Sequence, residues 1–438
     1  MNPTTKKAAN SFGPKGWSMI FYCVISYYLA AVLSTDTLNW YPTAFAAIRP
    51  EWGGAETVSN LSNMMAGVGG WLGVVAAIVF SVMAAKKGSK FMAVLGNFLC
   101  GIVCIIMALT PSLPIFCAMV ICNTFIAGNI QLNVVPNNIM NIWFPRKKGL
   151  ALGWATMGLP ICTATIILIL SAIGNATIAY IAIGIICFAF GIISIFWVKN
   201  TPEEVGAIPD NEEMDPQLAK ELMERQAQEA KKLTTGVILK NRNTWMIGLG
   251  LGFLWMTTIG LVSNFITHLI ACEVDYSFAV GMLTFAALIG IVGSYIWGIL
   301  DLKIGTKKAC LIYGIWYLVA LLLMIFLTNS KPMVLLAAIF VGFGIGGIGN
   351  LIPSMIGTCF GRFGFIEANR AIAPMNTAIR SCALVIISII GVTHLSLSYW
   401  VFFAFVIIGI IMIFLIKIPK YDSETGDPIG IYGDTTNN

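Results

Sequence analysis

Apolar residues in this chain run in near-continuous stretches of about 20, the length that carries a helix across a hydrocarbon core of ~30 Å, with short polar interruptions between them. Neither the alternation of a half-buried strand nor the narrow stripe of a surface helix describes them. Twelve stretches can be read, at 17–45, 58–84, 91–109, 114–142, 150–172 and 178–198 and, after a polar gap, at 245–272, 278–300, 309–327, 333–360, 372–392 and 399–416. The first is long enough that a bend is expected. The pattern predicts an all-α, polytopic membrane protein with twelve transmembrane helices in two pseudo-symmetric six-helix bundles, embedded in a lipid bilayer and monomeric.

The gap is the one substantial hydrophilic stretch. It divides the chain into a first bundle at 1–199, a linker at 200–243, a second bundle at 244–420 and a tail at 421–438. The linker opens with Thr201-Pro202-Glu203-Glu204-Val205-Gly206, and Asp215-Pro216 then supplies a cap and first turn for a helix to about Leu233. Charges on most faces of that helix suit a solvated strut. A weak internal repeat supports two bundles: Lys86-Lys87-Gly88-Ser89-Lys90 after span two is echoed by Lys303-Ile304-Gly305-Thr306-Lys307 after span eight.

Composition removes the soluble alternatives. With 58% apolar residues, 11% charged residues and a mean hydropathy of +0.85, the chain lies outside the range of soluble globular domains. Charge then orients it, because basic residues in short loops stay on the cytoplasmic side. Lys6, Lys7 and Lys15, the 86–90 cluster, Arg146 to Lys148, Lys303 to Lys308, Arg362, Arg370, Lys417 and Lys420 fall on one side, and Arg49 and Lys331 on the other. Both termini and the linker are therefore expected in the cytoplasm. The net charge of +6 then reflects topology and not a nucleic-acid partner. The first span is too long for a cleavable signal, and compact loops suit a bacterial inner membrane.

Other chemistry has no signal. The eleven cysteines lack paired metal spacing and read as packing residues. No phosphate-cradling Gly-rich loop, metal-ligand cluster or nucleophile with a histidine stands out, so no cofactor, no metal and no enzymatic activity is expected.

The fuller second copy of the repeat, running from Gly298-Ile299-Leu300-Asp301 through Lys303, Gly305 and Lys307, resembles the signature loop of the major facilitator superfamily. That loop follows a Gly, Leu, acidic, basic, Gly, basic order between spans two and three of each half. Here the first copy has Ala84 or Ala85 at the acidic position, and Asp301 sits one residue early. The resemblance implies a gating role for Asp301, Lys303 and Lys307, and a central cavity lined by spans one, seven and eleven among others. A narrower similarity, carried by Trp143-Phe144-Pro145-Arg146-Lys147-Lys148-Gly149-Leu150-Ala151-Leu152-Gly153 and the linker opening, is to the oxalate:formate antiporter and monocarboxylate transporter branch, whose members move small organic carboxylates.

Three ionisable residues lie within the spans: Asp36, His268 and Arg380. A guanidinium at that depth costs roughly 3 kcal/mol or more, and its planar fork of donors fits a carboxylate. Arg380 is the candidate anion clamp, against the alternatives of a structural ion pair and of a side chain snorkelling to a nearby surface. Asp36 is either a proton-coupling carboxyl in the outer cavity or a helix-end cap in Ser34-Thr35-Asp36-Thr37. His268, four residues before Cys272-Glu273, reads as a wetted helix-end side chain. Span four carries Asn123, Asn129, Gln131, Asn133, Asn137, Asn138 and Asn141, which need partners inside a membrane. Interhelical hydrogen bonds account for most, with Gln131 and Asn133 kept as substrate contacts. Trp40, Tyr41 and Trp255 are candidate cavity walls, with Tyr28 a weaker one.

The function expected is secondary active transport of a small organic anion by alternating access, with proton symport through Asp36 or exchange against a counter-anion. One fixed positive charge suits a monocarboxylate better than a dicarboxylate, whose second charge would be left unpaired. The rivals are a proton-coupled exporter of organic cations or drugs, with Asp36 as the cation site, and a non-transporting membrane sensor.

Overall fold

The structure, a computed structural model, describes residues 12–34, 36–211, 224, 234–390, 395–421 and 428–429. Eleven helical segments among these residues are long and apolar enough to cross a bilayer. One of them, Met64–Leu109, is 46 residues long, more than twice what a crossing of about 20 residues needs, and holds two, which makes twelve. The chain turns inside it at Gly88, where φ is 83°. The equivalent turn after span eight is made by Gly305, with φ of 86°. Only glycine adopts that backbone conformation without strain. The repeat legible in the sequence is thus a repeat of backbone geometry, with one glycine reversing the chain in each half.

A second repeat was not legible. Span one is the helix Gly13–Ser34, a 3-10 turn at Asp36–Asn39 and a short helix Tyr41–Ile48. Span seven, expected to run unbroken over 245–272, has the same construction: Arg242–Ser263 ends at Asn264, and a short helix Phe265–Ala271 leaves at a new angle. Both long helices have 22 residues. The re-aimed second helix corrects the expectation for His268, which is buried at 3% exposure, bonded through Nε2 to the Met324 carbonyl at 2.6 Å and set edge-on to Tyr399.

Buried apolar side chains form two clusters, one from Phe12 to Val198 and the other from Ile247 to Ile416. The first residues of the expected linker belong structurally to the first cluster's end. Asn200 accepts a bond from the Lys90 amide at 2.9 Å, and the Trp143 indole donates to the Lys199 carbonyl at 3.2 Å. The buried Asp210 carboxylate takes the backbone amides of Arg146 and Lys147 at 3.0 and 2.9 Å. The two sequence stretches that carried the narrower resemblance are therefore neighbours in space. The expected helix from Asp215 to Leu233 lies, apart from residue 224, outside the described residues. Within the expected tail, Lys420–Tyr421 pairs with Pro428–Ile429 as a minimal antiparallel ribbon.

The start of span one, the linker opening and the end of span twelve share one face of the molecule: Lys15 bonds the Val205 carbonyl, and the Asn243 amide donates to the Lys417 carbonyl at 2.7 Å. On this termini face the halves are pressed together. A Cβ at Gly153 in span five would stand 2.8 Å from the Ser294 carbonyl and 3.0 Å from the Gly298 Cα of span eight. Toward the other face, Cβ atoms at Gly67 and Gly281 would meet nothing within 4 Å.

Candidate functional site

Span eleven covers Gly364–Ile387 and begins near an Arg370–Glu367 ion pair of 2.6 Å. At the helical rise, Arg380 stands about 15 Å beyond Arg370, near the middle of a bilayer and too deep to reach its edge. Its guanidinium carbon lies 4.2 Å from the centre of the Trp255 ring on span seven. From the opposite half, Gly128 in span four faces it, with a Cβ built there standing 4.0 Å from Nη2. Among the described residues the Arg380 side chain has no ion pair and no hydrogen bond. The internal-pair alternative weighed for it thus has no partner in this structure.

The first half approaches this part of span eleven with glycines. Gly73 of span two faces Thr377, with its Cβ position 3.7 Å from Cγ2, and Gly70 faces Ser381 Oγ at 3.4 Å. Gly128 itself opens a π-helical stretch, Ala127–Val134, in the middle of span four. A widened turn of this kind breaks the regular i→i−4 ladder and occurs often at functional sites. Carbonyls loosened by it are bonded by the span's own amides: Asn129 Nδ2 donates to Phe125 O at 2.8 Å and Asn133 Nδ2 to Gly128 O at 2.6 Å. Most of the amide series was expected to bond between helices. Tyr27 to Asn137 at 2.6 Å and Gln131 to Asn97 at 2.6 Å do so, whereas Asn129, Asn133 and Asn141 serve their own helix.

The structure brings together Arg380 and Trp255 of the expected site, with Asn133 one bond away through Gly128 O. It does not bring in Tyr41, which is buried in an aromatic cluster with Phe45, Phe116 and Tyr180 at ring distances of 6.5, 5.9 and 5.5 Å. Tyr41 is a core residue because the chain breaks before it and folds the short helix back onto its own bundle. Gln131 is likewise buried inside the first bundle, against Asn97 and Cys100. Trp40 is partly buried against the first cluster.

Asp36 stands at the broken end of span one, partly buried, and its Oδ2 accepts a bond from Thr163 Oγ1 of span five at 2.8 Å. The neighbouring Tyr28 hydroxyl meets Thr165 Oγ1 at 3.1 Å. Asp36 therefore faces a partner helix as well as ending its own. Asp301 is buried at the seam between the halves, bonded to Thr306 at 2.5 Å and to Ser354, and a side chain at Gly149 of the other half would collide with its carboxylate. Lys307 donates to the Ile416 carbonyl at 2.7 Å, and Lys303 is exposed.

The sequence matches the profile of the Major Facilitator Superfamily over residues 18–385. No curated protein sequence matches it significantly. Among solved structures it resembles the proton:xylose symporter XylE, determined with 6-bromo-6-deoxy-D-glucose, at a TM-score of 0.70 and 13% identity over 91% of this chain and 95% of that one. It also resembles the human organic anion transporter MFSD10 at a TM-score of 0.67 and 11% identity, over 94% of this chain and 100% of that one. Identities this low carry the fold alone.

Proposed function

The chain belongs to the major facilitator superfamily, a family of secondary transporters, and we propose that its cargo is a small organic anion, a monocarboxylate, held by Arg380 during alternating access. The observation that carries this reading is a mid-membrane guanidinium at the junction of the halves with no carboxylate upon it among the described residues. Its burial costs roughly 3 kcal/mol or more. The cation–π contact with Trp255 offsets about 2 kcal/mol. A carboxylate brought by the substrate supplies the remainder, through charge-assisted bonds to the guanidinium edge. The name of one structural relative, an organic anion transporter, accords with this class.

Asp36 is the proposed proton carrier. It makes no ion pair with Arg380 here, so its protonation does not release the guanidinium by direct contact; coupling acts through charge balance. With Asp36 protonated, Arg380 and one bound carboxylate sum to zero, and a neutral loaded cavity crosses the low dielectric at least cost. Exchange of two monocarboxylates would use the same balance without net proton flow. The proposed orientation puts the basic termini face, where the halves are pressed together, in the cytoplasm.

Counterflow of labelled pyruvate, lactate and formate into proteoliposomes at two pH values tests this. Wild-type protein should show saturable counterflow of at least one, and Arg380→Ala should weaken it at least about 30-fold, equivalent to ~2 kcal/mol for a buried charge pair left without its partner. Asp36→Asn should keep counterflow and lose its acceleration by an inward proton gradient. Carboxylate flux untouched in Arg380→Ala, or flux of organic cations in its place, overturns the reading in favour of the cation exporter.

A further inference from the structure

Buried glycines in the first bundle are mostly explained by what lies against them. A Cβ at Gly96 would press into Ile130 at 2.6 Å, one at Gly101 into Phe188 at 3.0 Å, and one at Gly69 into the Ile121 carbonyl at 2.9 Å. Gly128 is buried too, yet a Cβ there would meet a single neighbouring atom, Arg380 Nη2 at 4.0 Å. Packing of the protein against itself therefore does not require a glycine at 128. Helix propensity argues against one, since glycine is a poorer helix former than alanine in a helix interior.

The geometry points to Gly128 as the residue that limits the size of the cargo: the group attached to the substrate's carboxylate lies in the space that a side chain at 128 would occupy. This rests on the reading of Arg380 as the anion clamp. Trp255 covers a face of the guanidinium, so a carboxylate must approach in its plane, at an edge. The Nη2 edge is turned toward span four. A carboxylate oxygen bonded there sits ~2.8 Å from the nitrogen. A methyl group 4.0 Å from that nitrogen would stand beside the bound carboxylate, in the space into which the chain attached to it extends. The π-helical turn and the Asn133 bond to the Gly128 carbonyl fix the backbone at this distance. Gly128 belongs to one half and Arg380 to the other, so the cargo is gauged between the two moving parts.

Binding of acetate, propionate and butyrate to purified full-length wild type, Gly128→Ala and Arg380→Ala, followed by calorimetry or thermal shift, tests the inference. A methyl-sized misfit in an apolar wall is worth roughly tenfold or more. Gly128→Ala should therefore weaken butyrate at least about tenfold more than acetate. A parallel change across the three acids, or none, overturns the inference. Binding that survives Arg380→Ala, or a wild type that binds none of the three, instead overturns the anion-clamp reading beneath it. The unliganded melting temperature of Gly128→Ala reports folding, and Gly128→Ser, with similar reach, repeats the comparison should alanine fail to fold.

Discussion

Arg380 and Trp255 act as a pair, and the energy of the pair fixes what each does. The indole over the guanidinium contributes about 0.5 kcal/mol at exposed sites and ~2 kcal/mol when desolvated, too little to hold a buried cation alone and enough to aim it. On the proposed reading, Trp255 is a positioning residue for the anion site. Trp255→Leu should lower carboxylate affinity about 3- to 30-fold, and Trp255→Phe should restore part of the loss, because a smaller aromatic face keeps a weaker cation–π contact. Equal loss in both variants, measured by calorimetry on folded protein, would mean that the ring fills space only. The difference between these residues and the ones misjudged from sequence is physical. A guanidinium in an apolar run cannot be a bland core residue, so Arg380 announces itself. An aromatic ring is at home in a pocket or in a core, and Tyr41 proves to be core. Gly128 carries no signal in its own span, since its meaning comes from a side chain more than two hundred positions away that faces it across the junction of the halves.

Helices were legible by length, and their interruptions only in part. All twelve spans follow from apolar runs, and a bend in span one was expected because its run is longer than one straight crossing needs. The matching break in span seven escaped because Asn264 is a single polar residue between apolar neighbours. The π-helical turn of span four is a property of backbone bonding, and amides alone could not reveal it. Small residues on span five do have a reading once their neighbour is known. Gly153 meets backbone atoms of span eight, at Ser294 and Gly298, which cannot rotate away as a flexible side chain could. Gly153→Val should hold the two halves apart on the termini face. Transport should fall at least about tenfold while the variant still folds, as overpacking of this kind costs 1–3 kcal/mol and here penalises one conformation only. A probe pair placed on spans five and eight should report a longer distance in the variant. An unchanged distance would show that the seam tolerates the bulk and that closure does not depend on it.

The whole molecule is caught with one end shut. Spans five and eight touch along the termini face, Asp301 is sealed beneath Gly149, and span ten approaches span four where a side chain at Gly357 would strike Asn141. Toward the opposite face, Cβ atoms at Gly67 and Gly281 would meet no protein atom within 4 Å. If the carrier works by alternating access as proposed, a state with its termini face shut is expected to admit cargo from the opposite face. Sidedness and conformation can be read in one experiment. Cys117, Cys122, Cys272 and Cys382 are partly exposed, so the background is first cleared of cysteine. A thiol placed by Gly281→Cys should then react with an impermeant maleimide from outside intact cells, and more slowly in inverted vesicles. Adding substrate should slow the reaction, because a loaded carrier spends more time closed on that face. Reaction only in inverted vesicles would reverse the orientation drawn from the basic loops. Equal rates with and without substrate would separate the open face from the cycle that Arg380 serves.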